Sequence, residues 1–294
     1  MCNSTKLLCC AFLSALSIHS PGKWVDLAQF PEPREEVMGE AANGKLYVFA
    51  GLIPLWHPAG LVYEYDPAAN TWTKKKPMAL PSHHVAFCDH DGPGAKETYI
   101  NQQTRQNVLG TVEEYDPKTN TWRTNTAMPT PRNHMGVGRV SGKIYVIGGR
   151  VGAAFMGLAS EISLVEAYDP AKDEWGPPGA RMPTARSAVA SAVYNGRIYL
   201  AGGEWQDPVV QTAFRVFEAY DPATNTWSPL PPMATPRHGV AGAVIVNRFY
   251  AVSGDVQSPG TGVAVSTPAA TAFEFSKVTA CSADGLSAGA THAR

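Results

Sequence analysis

The chain has 294 residues, 24 Lys plus Arg against 25 Asp plus Glu, and a formal net charge of -1, which excludes a general attraction to nucleic acid. No apolar run reaches the roughly 18 residues that a membrane helix needs. With 27 glycines, 24 prolines and only 17% charged residues, the composition suits short strands joined by many turns.

Residues 1–20 stand apart from the rest of the chain. Lys6 precedes a mostly apolar run from Leu7 to Ile18, and Ala15-Leu16-Ser17 places small residues where a signal peptidase reads. This segment reads as a secretory leader cleaved after Ser17; the alternative is a disordered N-terminus on a cytoplasmic protein. Trp24 then appears on an isolated strand.

From about residue 30 the chain runs as units, at 30–76, 77–126, 127–180, 181–231 and 232–276. In each full unit a first strand reaches a tight turn, Asn43-Gly44, Ser141-Gly142 or Asn195-Gly196, where a hairpin wants positive φ. A second strand follows, Leu46 to Phe49, Ile144 to Ile147 or Ile198 to Ala201, apolar on both faces as a sheet sandwiched between two others requires. Gly148-Gly149 and Gly202-Gly203 close two of these strands and allow close backbone approach. A third strand ends in Tyr-Asp-Pro, and a fourth carries tryptophan.

Two units depart from the pattern. In the second, Asp91 to Arg105 replaces the usual second strand and glycine pair, with Tyr99-Ile100 as a remnant. The fifth has Asn247-Arg248 in its turn, Ser253-Gly254 for the pair, a third strand around Phe273-Glu274-Phe275, and no tryptophan afterwards. The isolated Trp24 strand supplies what the fifth unit lacks. Residues 277–294 are small and polar and read as a disordered tail.

The period is measurable. Asp66, Asp116, Asp169 and Asp221 are spaced by 50, 53 and 52 residues, and Trp72, Trp122, Trp175 and Trp227 repeat those intervals. A period near 50 with paired glycines and a late tryptophan resembles the kelch repeat. The resemblance implies an all-β propeller, here of five four-stranded blades, the last closed by the N-terminal strand so that no sheet edge stays open. Trp122, Trp175 and Trp227 are expected to be buried between blades.

Arg34, Arg132, Arg186 and Arg237 recur between the fourth strand of one unit and the first of the next; Ser82-His83 stands there in the second unit. In kelch adaptors arginines at this position contact acidic peptides, so the resemblance implies a ligand-binding ring at the channel mouth. The competing reading is structural, since Glu113, Glu166 and Glu218 of the third strands could pair with these arginines. Arg150 and Glu204 each follow a glycine pair on the same face. Trp56 and Trp205 lie off the repeat register in mouth loops, as binding anchors or as packing over their own loops. His83, His84, Cys88 and His90 lack a second ligand group at metal spacing, so no metal is expected. Five cysteines without Cys-x-x-Cys spacing give neither a disulfide framework nor a zinc site.

No catalytic motif is present, and no cofactor is expected. The sequence favours a monomeric module that binds a protein or peptide, expected to be acidic, at the mouth. No room is expected ahead of the propeller for an adaptor domain. The alternative is a secreted carbohydrate-binding or carbohydrate-active propeller resembling sialic acid mutarotases, with an acidic sugar at Glu204 beside the arginines.

Overall fold

The structure, a computed structural model, describes residues 22–53, 57–78, 85–88, 97–101, 108–116, 118–152, 159–207, 209–257 and 265–276. The leader, the tail, Trp56, His83, His84 and His90 lie outside the described residues.

The chain is an all-β propeller. It opens with β1 (Gly22–Asp26). The first blade contains β2 (Glu35–Ala42), β3 (Lys45–Ile53), the short β4 (His57–Pro58), β5 (Val62–Asp66) and β6 (Thr71–Lys74). The second contains β7 (Val85–Cys88), β8 (Glu97–Asn101), β9 (Val112–Asp116) and β10 (Thr121–Asn125). The irregular stretch of the second unit therefore still supplies its second strand, β8, paired with both β7 and β9.

The third blade has β11 (Gly136–Val140), β12 (Lys143–Ile147), β15 (Val165–Asp169) and β16 (Glu174–Trp175), with a hairpin of β13 (Arg150–Gly152) and β14 (Ala159–Glu161). The fourth has β17 (Ala190–Tyr194), β18 (Arg197–Ala201), β21 (Phe217–Asp221) and β22 (Thr226–Leu230), with a hairpin of β19 (Glu204–Gln206) and β20 (Gln211–Ala213). The last joins β23 (Ala241–Ile245), β24 (Arg248–Val252) and β25 (Ala270–Phe275) to β1, in the order β1-β25-β24-β23. Inner strands pack side by side in the order β2, β23, β17, β11, β7.

The sequence rules act locally as expected. Asn43-Gly44, Ser141-Gly142 and Asn195-Gly196 all have positive φ in the first hairpin of their blades. In the last blade that turn begins instead with Val246 at φ 55, a costly conformation for a β-branched residue. The glycine pairs have a second reason to be glycine. Gly149, Gly203 and Gly254 donate their N–H to the carbonyls of Arg186, Arg237 and Arg34 in the next blade, at 3.1, 2.8 and 3.0 Å. A Cβ on Gly202 would sit 2.3 Å from the Arg237 oxygen.

A second junction runs along the outside. Trp72, Trp175 and Trp227 donate their indole N–H to the carbonyls of Ala28, Thr126 and Ala180 in the preceding blade, at 2.9, 3.0 and 2.9 Å. The N–H groups of those same three residues donate to Asn70, Asp173 and Asn225, at 2.8, 2.7 and 2.6 Å. Tyr65, Tyr168 and Tyr220 of the Tyr-Asp-Pro triplets donate their hydroxyls to these same side chains. Each of these three blades thus grips one residue of its neighbour by its N–H and its carbonyl together. Asn70, Asp173 and Asn225 have positive φ, which asparagine and aspartate tolerate best among side-chain residues.

This geometry corrects the expected burial of the tryptophans. Trp175 and Trp227 are only half-buried, and Trp122 is 54% exposed. The fourth strand is the outermost, so an indole there can cover its tyrosine with one face while the other meets solvent. The sealed aromatic positions are Tyr65, Tyr168 and Tyr220 instead.

The N-terminal strand closes the last blade. Trp24 pairs with Phe273 in register, and Gly22 with Phe275. Its indole repeats the junction by donating to the Pro231 carbonyl at 2.8 Å, and it packs on Phe217 and Phe273 at 5.2 and 5.5 Å.

Candidate functional site

Three of the four motif arginines are sealed inside their blades. Arg132, Arg186 and Arg237 are 0–1% exposed, inside their own blades. Arg132 pairs with Glu166 and donates to the carbonyls of Thr130 and Val146. Arg186 pairs with Glu218 at 2.5 Å and donates to the carbonyls of Gly202, Thr184 and Leu200. These are two of the glutamate pairings the sequence allowed, and they hold the third strand to the loop between blades.

Arg237 differs because Thr271 stands where the third and fourth blades have Glu166 and Glu218. Its partners are the Thr271 hydroxyl and the Ala269 carbonyl, both at 2.8 Å, and the Ser253 carbonyl at 3.2 Å. Burial of a cation among neutral acceptors pushes its pKa down to about 10. Arg34 is partly exposed and turns to Glu32, 3.5 Å away, and to the Pro33 carbonyl.

The mouth is built one step further along the chain. The residue after each motif arginine bridges to the residue after the next glycine pair: Asn133 to Arg150, Ser187 to Glu204 and His238 to Asp255. In the first blade Glu35 pairs with Leu52. The following residue has positive φ in every case: Glu36, His134, Ala188 and Gly239. This kink turns the backbone out of the blade and leaves the two bridged side chains at one end of the channel.

Their side chains meet across four blades. Arg150 donates to Gln206 at 2.8 Å, lies 3.6 Å from a Glu204 oxygen and approaches the His134 ring at 3.2 Å. His134 in turn lies 3.7 Å from Glu36. The Gln206 amide donates to Glu204 at 2.5 Å, and its backbone N–H donates to Glu161 at 2.9 Å. His238 Nε2 sits 3.4 Å from Glu204 Oε2 and 3.9 Å from Glu35 Oε2. Asp255 accepts the N–H groups of Gln257 and Val265 and so fixes its own loop.

These groups are buried, and the site is acidic. Burial, reinforced by Glu36, Asp255 and Glu204, raises the Glu35 carboxyl to about 8. Burial also raises Glu161 to about 7, against the opposing Gln206 N–H and Arg150 charge. Glu35 Oε2, Glu161 Oε2 and both His238 ring nitrogens make no hydrogen bond. Among the described residues no cluster of His, Cys, Asp and Glu is arranged to hold a metal ion.

Of the expected site residues, the structure therefore brings Arg150 and Glu204 together and keeps Arg132, Arg186 and Arg237 apart from them. Trp205 is half-buried beside Glu204 and donates to Asp207 at 2.8 Å on its own hairpin. Glu35, His134, Glu161, Gln206 and His238 were not singled out from the sequence. A signal existed for Glu35 and His238: the position after the motif arginine reads Glu, Asn, Ser and His in the four units that carry that arginine.

A family model described as the kelch motif matches residues 40–79, 131–175 and 185–234, passing over the two units with irregular glycines. The Kelch-like protein terF of Aspergillus terreus is 29% identical over 266 residues, 86% of this chain and 56% of that protein. N-acetylneuraminate epimerase 1 of Escherichia coli is 26% identical over 259 residues, 82% of this chain and 60% of that protein. The chain thus spans only somewhat more than half the length of these curated relatives. The solved structure of YjhT superposes with a TM-score of 0.55 at 16% identity, covering 87% of this chain and 86% of that one, a likeness of fold.

Proposed function

We propose that this chain, which belongs to the kelch-repeat β-propeller family, is a binding module that holds a protein or peptide segment at the mouth of its channel. The observation that carries this reading is the mouth network. Its side chains come from one bridged pair of repeat positions and the adjoining hairpins, they differ from blade to blade, and they leave buried polar atoms without partners. The buried arginine position varies less: Arg132–Glu166 and Arg186–Glu218 repeat one pairing, and Arg237 keeps the sealed guanidinium with Thr271 in place of the glutamate. Unsatisfied buried groups with displaced pKa values mark candidate binding sites. The test is affinity capture with the wild-type chain and a Glu161→Gln/Glu204→Gln variant of verified melting temperature. A protein captured by the first and not by the second supports the reading; identical capture by both overturns it.

A second reading has its own support. A relative similar over 82% of the chain is named an N-acetylneuraminate epimerase. Glu161, with a pKa raised to about 7 and Gln206 linking it to Glu204, could give or take a proton near neutral pH. The mouth would then take a sugar. Titration with N-acetylneuraminate, followed by the rate at which its anomers interconvert, tests this; no binding and no acceleration reject it.

A further inference from the structure

We propose that the mouth recognises a cationic group, the ammonium or guanidinium of a lysine or arginine side chain, on the partner it binds. This rests on the peptide-binding reading and specifies it. Three of the motif arginines, which would have selected an acidic partner, spend their charge inside the blades on Glu166 and Glu218 or on neutral acceptors, and Arg34 turns to Glu32. Among the described residues, what remains at the mouth is Glu35, Glu36, Glu161, Glu204 and Asp255 against the single guanidinium of Arg150.

Carboxylates gathered in this way could be a purely structural cluster, and three features argue otherwise. His238, 1% exposed, points Nε2 between Glu204 and Glu35 and bonds to neither. Glu35 Oε2 and Glu161 Oε2 are buried acceptors without donors. The resident cation is turned to Gln206, Glu204 and His134 and keeps only its Nε–H unpaired. Once ionised, these carboxylates offer a ligand only acceptors. A group with several N–H donors and a positive charge fits; a carboxylate would face Glu35, Glu36, Glu161, Glu204 and Asp255 and find the Arg150 guanidinium already turned to Glu204.

The rim suits the stem of such a side chain. The β19–β20 hairpin carries Glu204 at its base, Gln206 next to its turn, and Val209 and Val210 in that turn, 90% and 49% exposed. Asp207 accepts the N–H groups of both valines and the indole N–H of Trp205, so the tip is fixed rather than loose. The methylenes of lysine or arginine can lie on such an apolar surface while the head group reaches the carboxylates.

Protons compete for the same site. Glu35 faces Glu36, Asp255, Glu204 and His238; Glu161 faces Arg150, Glu204, Gln206 and Ser187. With Glu161 near 7 and Glu35 near 8, an arriving cation must displace protons around neutral pH. Affinity should therefore rise from about pH 6 to about pH 9, with proton release on binding.

The experiment is calorimetric titration of the full chain with four blocked pentapeptides that differ only in a central lysine, arginine, glutamate or alanine, and with N-acetylneuraminate. The lysine and arginine peptides are expected to bind, with proton release in buffers of different ionisation heat and weakening as salt rises. Glu161→Gln/Glu204→Gln should weaken them roughly tenfold or more, and Arg150→Gln, which removes the competing cation, should strengthen them several-fold. Because the second variant gains affinity, a folding defect in the first cannot imitate the result. Binding of the glutamate peptide or of the acidic sugar instead, lost in the same variants, overturns the cation proposal and leaves a ligand at the mouth. Lysine-peptide binding that neither variant changes also overturns it, as does no binding by any of the five compounds; the capture experiment then decides separately whether the mouth binds a partner.

Discussion

Replacing Glu218 by glutamine separates a structural from a ligand-reading role for the motif arginines. The Arg186 guanidinium is completely buried, and Glu218 is its only carboxylate partner among the described residues. Removing the charge leaves a sealed cation facing an amide. Breaking a buried pair by removing one partner typically costs about 3–5 kcal/mol. Two features place this case at the lower end. The carbonyls of Gly202, Leu200 and Thr184 still accept from Arg186. The last blade already tolerates Arg237 with a threonine hydroxyl in place of a carboxylate. A loss of about 3 kcal/mol corresponds to roughly 6–12 °C in a domain of this size. The assay is thermal unfolding followed by far-UV circular dichroism and checked by urea denaturation. Arg186→Met/Glu218→Met should recover part of the loss, since apolar replacement of a whole buried pair is often neutral. A Glu218→Gln melting temperature within about 2 °C of wild type, with binding at the mouth abolished, would refute the structural assignment.

Three further outcomes are expected. Thr271→Glu, which installs the missing carboxylate beside Arg237, should raise the melting temperature, provided the larger side chain fits the space that the other blades give to Glu166 and Glu218; unfolding measurements on the single variant decide this. Trp175→Phe keeps the stacking on Tyr168 but removes the bond to Thr126, and should cost about 1 kcal/mol, with faster amide exchange at Thr126. Glu35→Gln should flatten the pH dependence of stability. A carboxyl whose folded pKa is raised to about 8 stabilises most when protonated in both states, below its unfolded value of 4.5. That contribution is lost as pH rises towards and through about 8. The wild type should therefore lose stability relative to Glu35→Gln over this range, on the order of a few kcal/mol, in urea titrations at stepped pH.

What the sequence alone determined is everything that repeats. The 50-residue period, the turn glycines and the Tyr-Asp-Pro triplets specify blades because each acts through its immediate neighbours in the chain. The closing strand was legible for the same reason: Trp24 has the spacing of a strand that the last unit lacks, and it pairs with Phe273 as that spacing requires. Even the glutamates paired with Arg132 and Arg186 could be named, since both partners occupy fixed positions in the unit.

The tertiary structure decided where those charges point and what they leave at the mouth. Arg132, Arg186 and Arg237 turn into their blades because carbonyls, glutamates and the Thr271 hydroxyl lie within reach there. Glu35, Arg150, Glu204 and His238 span more than 200 residues of chain, and no spacing between them announces a site. They converge because the second residue after each arginine takes a left-handed conformation at the same place in four blades, and the propeller brings those four places to one end of its channel. The tryptophans carry the same lesson. Their period was readable, but their exposure depended on which strand faces solvent once blades are packed, and that is a property of the assembled sheets.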